Sequence, residues 1–294
     1  MNILHRRNLG FIYDVYQVIM CKTAKRESWI DIFVKSGNEV IDLRDLEQTL
    51  ARFDDVDPSL LLFGYRDRKK GTLIGNILID YADENATNCD ISSFTQYLGN
   101  VERTKNYVSQ YYLNCEAYDD ILKVIAAEKS LTLDIKSYLY EFYLFPEQFI
   151  KIVIDEINKI ALSLQKFHSE KLEKLLECQE NFDYRALEKE NSPFAKNKKW
   201  EHGMKNCYVS FSLISKYAGL RGRSEENGWM ILGCEIQKSF AETIEQEIDI
   251  AAFGNAFGDK LRVKIVEEIV KNGEMTLADL AKKLGWLIPL PSTI

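Results

Sequence analysis

The side chains that could do chemistry are few and widely spaced. His5, His168 and His202 stand far apart, and none forms a nucleophile–base pattern with a serine or cysteine. Nucleophilic catalysis needs those partners within hydrogen-bond reach, so the three read as surface or helix-face histidines, no catalytic residue is assigned and the chain is not expected to be an enzyme. Cys21, Cys89, Cys115, Cys178, Cys207 and Cys234 are scattered, with no Cys-x-x-Cys pair and no histidine at zinc-ligand spacing. That pattern points to free thiols in a reducing compartment, with no disulfide framework, metal or cofactor. Residues 83–90 are rich in Asn and Asp but lack the glycine and closing glutamate of an EF-hand, and so predict a solvated loop. Residues 254–260 superficially suggest a phosphate loop, yet Asp259 precedes Lys260 and no Ser or Thr follows it. The basic and hydroxyl side chains near the end, Thr276, Lys282, Lys283, Ser292 and Thr293, are of the types that contact nucleic-acid phosphates.

The elements that would carry these groups belong to a folded, two-domain chain. With 294 residues, 46% apolar and 12% aromatic, there is ample material for a core. A net charge of −7 argues against a protein that coats nucleic acid with its whole surface, because phosphate binding needs a local positive field. From residue 250 onward six bases face five acids, a balance of +1 that leaves −8 on the remainder, so any such contact must be C-terminal. Arg6 and Arg7 ahead of the apolar residues 11–20 resemble a signal peptide, but Asp14 and Gln17 interrupt the run and no small-residue cleavage site follows. No later stretch approaches the roughly 18 uninterrupted apolar residues of a membrane span. The expectation is a cytoplasmic protein with no membrane partner.

Helical spacing dominates the first two thirds. Ile12, Val15 and Ile19 form one stripe, and Ile30, Ile32 and Val34 continue the apolar pattern. Breaks fall at Asp57-Pro58 and in 66–71, and a further helical stretch spans 101–128, its Tyr107, Tyr111, Tyr112 and Tyr118 read as core walls. The clearest element opens at Pro146 and runs to about 178, with Phe149, Val153, Ile157, Ile160, Leu164 and Phe167 four and three apart, a seam suited to internal packing or to a dimer. A charged connector near 186–205 precedes a change of pattern. Residues 208–214 alternate around Phe211 and Leu213, residues 229–232 are apolar, and glycines lie between, which predicts a β-hairpin within 207–235 closed by a long Gly/Arg loop.

Residues 248–285 hold two apolar helices and a turn. Asp259 caps a helix whose buried stripe is Leu261, Ile265, Val266 and Ile269, Asn272-Gly273 ends it, and Thr276 caps a short helix faced by Leu277, Leu280, Ala281 and Leu284 before Gly285. Periodicity alone reaches a compact three-helix unit. The run Phe257-Gly258-Asp259-Lys260-Leu261-Arg262-Val263-Lys264-Ile265-Val266, followed by Gly273-Glu274-Met275-Thr276-Leu277-Ala278-Asp279-Leu280-Ala281-Lys282-Lys283-Leu284-Gly285, resembles the arsenic-repressor (ArsR) type winged helix-turn-helix regulators.

The resemblance covers only the C-terminal stretch. Where metal-sensing members carry a Cys-x-Cys pair, this chain has Thr276 and Ala278, so the resemblance does not extend to metal sensing. Members continue into a recognition helix that opens Pro-Ser-Thr, then a wing and a dimer-forming helix; here Pro291-Ser292-Thr293-Ile294 closes the sequence, which therefore reads as a truncated regulator. The expected fold is mainly α: a helical N-terminal sensing or association domain over 1–240 with one β-hairpin, joined to a partial winged helix-turn-helix over 245–294. The resemblance implies transcription regulation, with double-stranded DNA as partner of the untruncated form, an unknown effector and a homodimer built through the N-terminal region. The competing expectation is a protein-interaction or small-ligand-binding module with no DNA binding.

Overall fold

The computed structural model describes residues 2–24, 43–67, 70–114, 120–184, 204–216, 219–224 and 226–237. The chain divides into two units, Met1–Phe240 and Ala241–Ile294, and the described residues all belong to the first. The helix-turn-helix expectation over 245–294 and the apolar pattern at Ile30, Ile32 and Val34 thus lie outside the described residues.

The described part is mostly helical with a small sheet. Strand β1 (Asn2–His5) passes through Arg6 directly into α1 (Arg7–Thr23). Helix α1 is apolar on nearly every side, with Leu9, Ile12, Val15, Val18 and Ile19 all fully buried, as expected of a central helix. It packs against β4 (Asn206–Ser212), β6 (Asn227–Gly233), α3 (Leu61–Gly64), α4 (Leu73–Asn85) and α9 (Pro146–Glu170). Helix α2 (Leu43–Leu50) and a 3-10 turn (Pro58–Leu60) lead into α3. The break expected at Asp57 is there, and its side chain caps the turn by accepting from Ser59 N at 2.9 Å. Strands β2 (Arg66–Asp67) and β3 (Gly71–Thr72) form a small antiparallel ladder, in which Gly71 takes a φ of 77° that favours glycine.

Helices α5 (Ile91–Leu98) and α6 (Val101–Val108) follow, each started by a side-chain cap, from Asp90 and Asn100. Part of the predicted polar loop is helical, since α4 continues to Asn85 and Asp90 already belongs to the capping box of α5. The single helical stretch expected over 101–128 is broken: α6 loosens into a π turn (Ser109–Leu113), stopped by Asn114 in the left-handed region, and α7 (Ile121–Ala127) starts afresh. Helix α8 (Leu133–Leu144) leads into α9, whose predicted seam from Phe149 to Phe167 is buried in the internal core. α9 stops at Lys171 (φ −111°, ψ 16°), short of the expected end near 178, and the turn lets α10 (Leu172–Asn181) reach β4.

The sheet order is β1-β4-β6-β5, with β5 at Gly219–Ser224. β1 lies parallel to β4 (Asn2 opposite Asn206, His5 opposite Val209), β4 parallel to β6 (Tyr208 opposite Trp229), and β5 antiparallel to β6. A β-hairpin is therefore present, but its arms are β5 and β6. The predicted partners 208–214 and 229–232 are parallel neighbours, and the stretch expected as a Gly/Arg loop supplies a strand. Parallel pairing explains why β4 and β6 are buried at six successive positions each, a pattern a half-exposed hairpin would not give.

Candidate functional site

Burying a carboxylate is costly unless donors replace its water, and Asp14, midway along the central helix, is fully buried. Gly10, one turn earlier, makes the placement feasible, because a Cβ there would stand 2.3 Å from the Phe211 main-chain oxygen; its absence lets α1 lie directly on β4. The approach brings Asp14 to the segment leaving β4. Its Oδ2 accepts from Leu213 N at 3.0 Å and its Oδ1 from Ile214 N at 3.3 Å, while the Ser212 hydroxyl also donates to Oδ1. Ser215 N donates in turn to Ser212 Oγ at 2.9 Å.

The fourth partner comes from α9. His168 Nε2 lies 2.8 Å from Asp14 Oδ2, across 154 positions of sequence. When the ring is neutral, donation of Nε2–H to the carboxylate leaves the lone pair on Nδ1. The ring is further held by the edge of Phe11, whose centroid is 5.1 Å away. The His168 side chain is 14% exposed, enough to reach solvent while its partner does not. Histidine and aspartate thus form an oriented dyad: a buried acceptor fixes the ring's tautomer, and the ring presents the result at a surface.

That surface is a cleft of about 390 Å³. Arg7, Asn8 and Phe11 from α1, Gln165, His168 and Ser169 from α9, and Leu172 and Leu175 from α10 line it, with Asp90 and Ile91 from the start of α5. Its volume lies within the roughly 300–1,000 Å³ of small-molecule sites. Phe11, Ile91, Leu172 and Leu175 offer an apolar wall; Arg7, Asn8, Gln165 and His168 offer donors, and the Asn8 and Gln165 amide oxygens also accept. The Asp90 carboxylate is already engaged, accepting from Ser93 N at 2.7 Å as the cap of α5. The first turn of α1 opens beside the cleft and has no side-chain cap, since Arg6 at the cap position offers no acceptor. The arrangement suits an amphipathic ligand with an anionic or hydrogen-bond-accepting head, and could also support proton transfer at Nδ1.

A half-buried carboxylate serves a different end. Asp83 of α4 accepts from the indole of the fully buried Trp229 at 2.6 Å, tying helix to sheet, and burial pushes its carboxyl above the usual range. A cleft around Asp54, Asp55, Asp57 and Glu156 is acidic, and its buried member Glu156 already accepts from Asp57 N at 3.3 Å and pairs with Lys159. Among the described residues no group of three or more His, Cys, Asp or Glu side chains could hold a metal ion. No described helix is long and apolar enough to cross a membrane.

Thr276, Lys282, Lys283, Ser292 and Thr293, the candidate DNA-contacting residues, all lie outside the described residues. The reading of His168 as an isolated histidine is corrected by its bond to Asp14. One signal of the site was on view in the sequence: Asp14 and Gln17 interrupt an apolar run, and both prove buried, Gln17 at 3% exposure. Polar residues on the core side of a helix need partners, and Asp14 finds four. No protein-family model, curated protein or solved structure matches the chain.

Proposed function

We propose that the chain is a ligand-responsive transcription regulator of ArsR-like type, in which the Met1–Phe240 unit carries an effector cleft and 245–294 makes the DNA contact. The observation that carries the sensing half is the Asp14–His168 dyad opening on the Arg7 side of an amphipathic cleft. The DNA-contacting half is supported by the resemblance over 257–285, with Thr276, Lys282, Lys283, Ser292 and Thr293 as its phosphate contacts. The effector class that fits is a small monocarboxylate with an apolar body. Its head would meet Arg7, Asn8 and the free first turn of α1, and its tail Phe11, Ile91, Leu172 and Leu175.

Calorimetric titration with octanoate, and with 1-octanol as the uncharged control, tests the sensing half. Octanoate is expected to bind and octanol not, and Arg7→Ala should weaken octanoate by about tenfold, or about 1.4 kcal/mol. Equal binding of both compounds, or of neither, removes the carboxylate effector.

A second reading is a small-ligand module without DNA contact. It is favoured by the balance of −8 on residues before 250, which repels phosphate. The two readings agree on the cleft and part on whether any duplex is bound.

A further inference from the structure

Two cysteines far apart in sequence share one corner of the fold. Cys178 lies in the last turns of α10, and Cys234 is the first residue after β6. Sγ of Cys178 donates to the main-chain oxygen of Cys234 at 3.1 Å, which brings the two cysteines together. Both residues are partly exposed, whereas Cys21, Cys89 and Cys207 are buried. The backbone around Cys234 is held: its N donates to Ser212 O at 3.0 Å, and Glu235 N donates to Lys216 O at 2.8 Å. Lys174, one turn before Cys178, pairs with Glu235 and places an ammonium beside the sulfurs.

We infer that Cys178 and Cys234 are a peroxide-reactive thiol pair, Cys178 being oxidised first and Cys234 resolving it to an intramolecular disulfide that joins α10 to the turn after β6. The two sulfurs are not equivalent. The neighbouring Cys234 thiol holds the Cys178 thiol below its usual range, helped by Lys174 and opposed by burial, Glu177 and Glu235. The Cys178 neighbour and burial push the Cys234 thiol up. A thiolate is the nucleophile toward peroxide, so the reactive member is Cys178. Its sulfur attacks one oxygen of hydrogen peroxide; the S–O bond forms, the O–O bond breaks and the departing hydroxide leaves as water, giving a sulfenic acid. Cys234 sulfur then attacks Cys178 sulfur; the S–S bond forms, the S–O bond breaks, and the thiol proton leaves with the hydroxide as a second water. Two thiols are oxidised by two electrons and one peroxide is reduced to two waters. The inference does not depend on what the cleft or the C-terminal segment binds.

Peptide mapping of the whole reduced chain after brief hydrogen peroxide treatment, without reductant, tests it. The expected product is a linked peptide pair containing Cys178 and Cys234, lost on adding dithiothreitol and formed at least about tenfold faster than any oxidation of Cys21 or Cys89. Burial pushes those two thiols up to about 12 and about 11, so they serve as internal controls. In Cys234→Ser, Cys178 should stop at a sulfenic acid trapped by dimedone; in Cys178→Ser, Cys234 should stay reduced. Oxidation of Cys178 no faster than of Cys21, or its pairing with Cys115 or Cys207 in place of Cys234, would overturn the inference. The wild-type map decides even if a serine variant folds poorly.

Discussion

Asp14 gathers four donors from two distant parts of the chain. It is a wholly buried acceptor for two main-chain N–H groups, a hydroxyl and an imidazole. Removing it leaves four donors without a partner inside the protein, so Asp14→Ala is expected to destabilise the fold by about 3 kcal/mol or more, read by urea unfolding. Asp14→Asn keeps two acceptor lone pairs and should cost clearly less. A loss in Asp14→Ala of under about 0.5 kcal/mol, typical of a surface substitution, would show that the segment 212–215 does not depend on this carboxylate. Half of the site was legible in advance: a charged residue inside the apolar run of α1 signals a buried polar group. Its partners were not, because Ser212 and His168 are brought to it by the fold across 198 and 154 positions.

At the scale of elements, the approach of α1 to β4 rests on a single missing side chain. Gly10→Ala would push a methyl carbon against the Phe211 carbonyl, a main-chain atom that cannot rotate away. The expected loss is about 1–3 kcal/mol in thermal or urea unfolding, with Asp14 drawn away from its donors and the His168 ring freed. A Gly10→Ala protein as stable as the parent would mean that α1 and β4 can separate at little cost. The elements divide cleanly by how local their signals are. α9 was readable from the three-and-four spacing of Phe149 to Phe167, because a helix writes its period into its own sequence. β5 was not: as an edge strand it pairs through its backbone to β6 alone, and Gly219, Arg221, Gly222 and Arg223 carry no apolar alternation to mark it. β1 is only four residues long, and its partner β4 begins some 200 positions later. Helix ends at Lys171 and at the π turn after Val108 were set by tertiary packing and were likewise invisible to periodicity.

At the scale of the whole molecule, two halves have different kinds of support. The Met1–Phe240 unit rests on geometry: an oriented dyad, a cleft and an internal core. The unit Ala241–Ile294 rests on the resemblance of its residue pattern to ArsR-type regulators, and on the local charge of +1 beyond residue 250 within an otherwise acidic chain. A regulator needs both, and the claim that most exposes the account is that the second unit touches DNA. The direct measurement is fluorescence anisotropy of a labelled duplex, taken from upstream of the chain's own coding sequence, titrated with the protein over a series of salt concentrations. Contacts by Lys282 and Lys283 predict weak binding with a slope of log affinity against log salt of about −2, reduced toward zero in Lys282→Ala/Lys283→Ala. No binding at low salt would contradict the regulator reading and leave the cleft as the ligand site of a module that does not contact DNA.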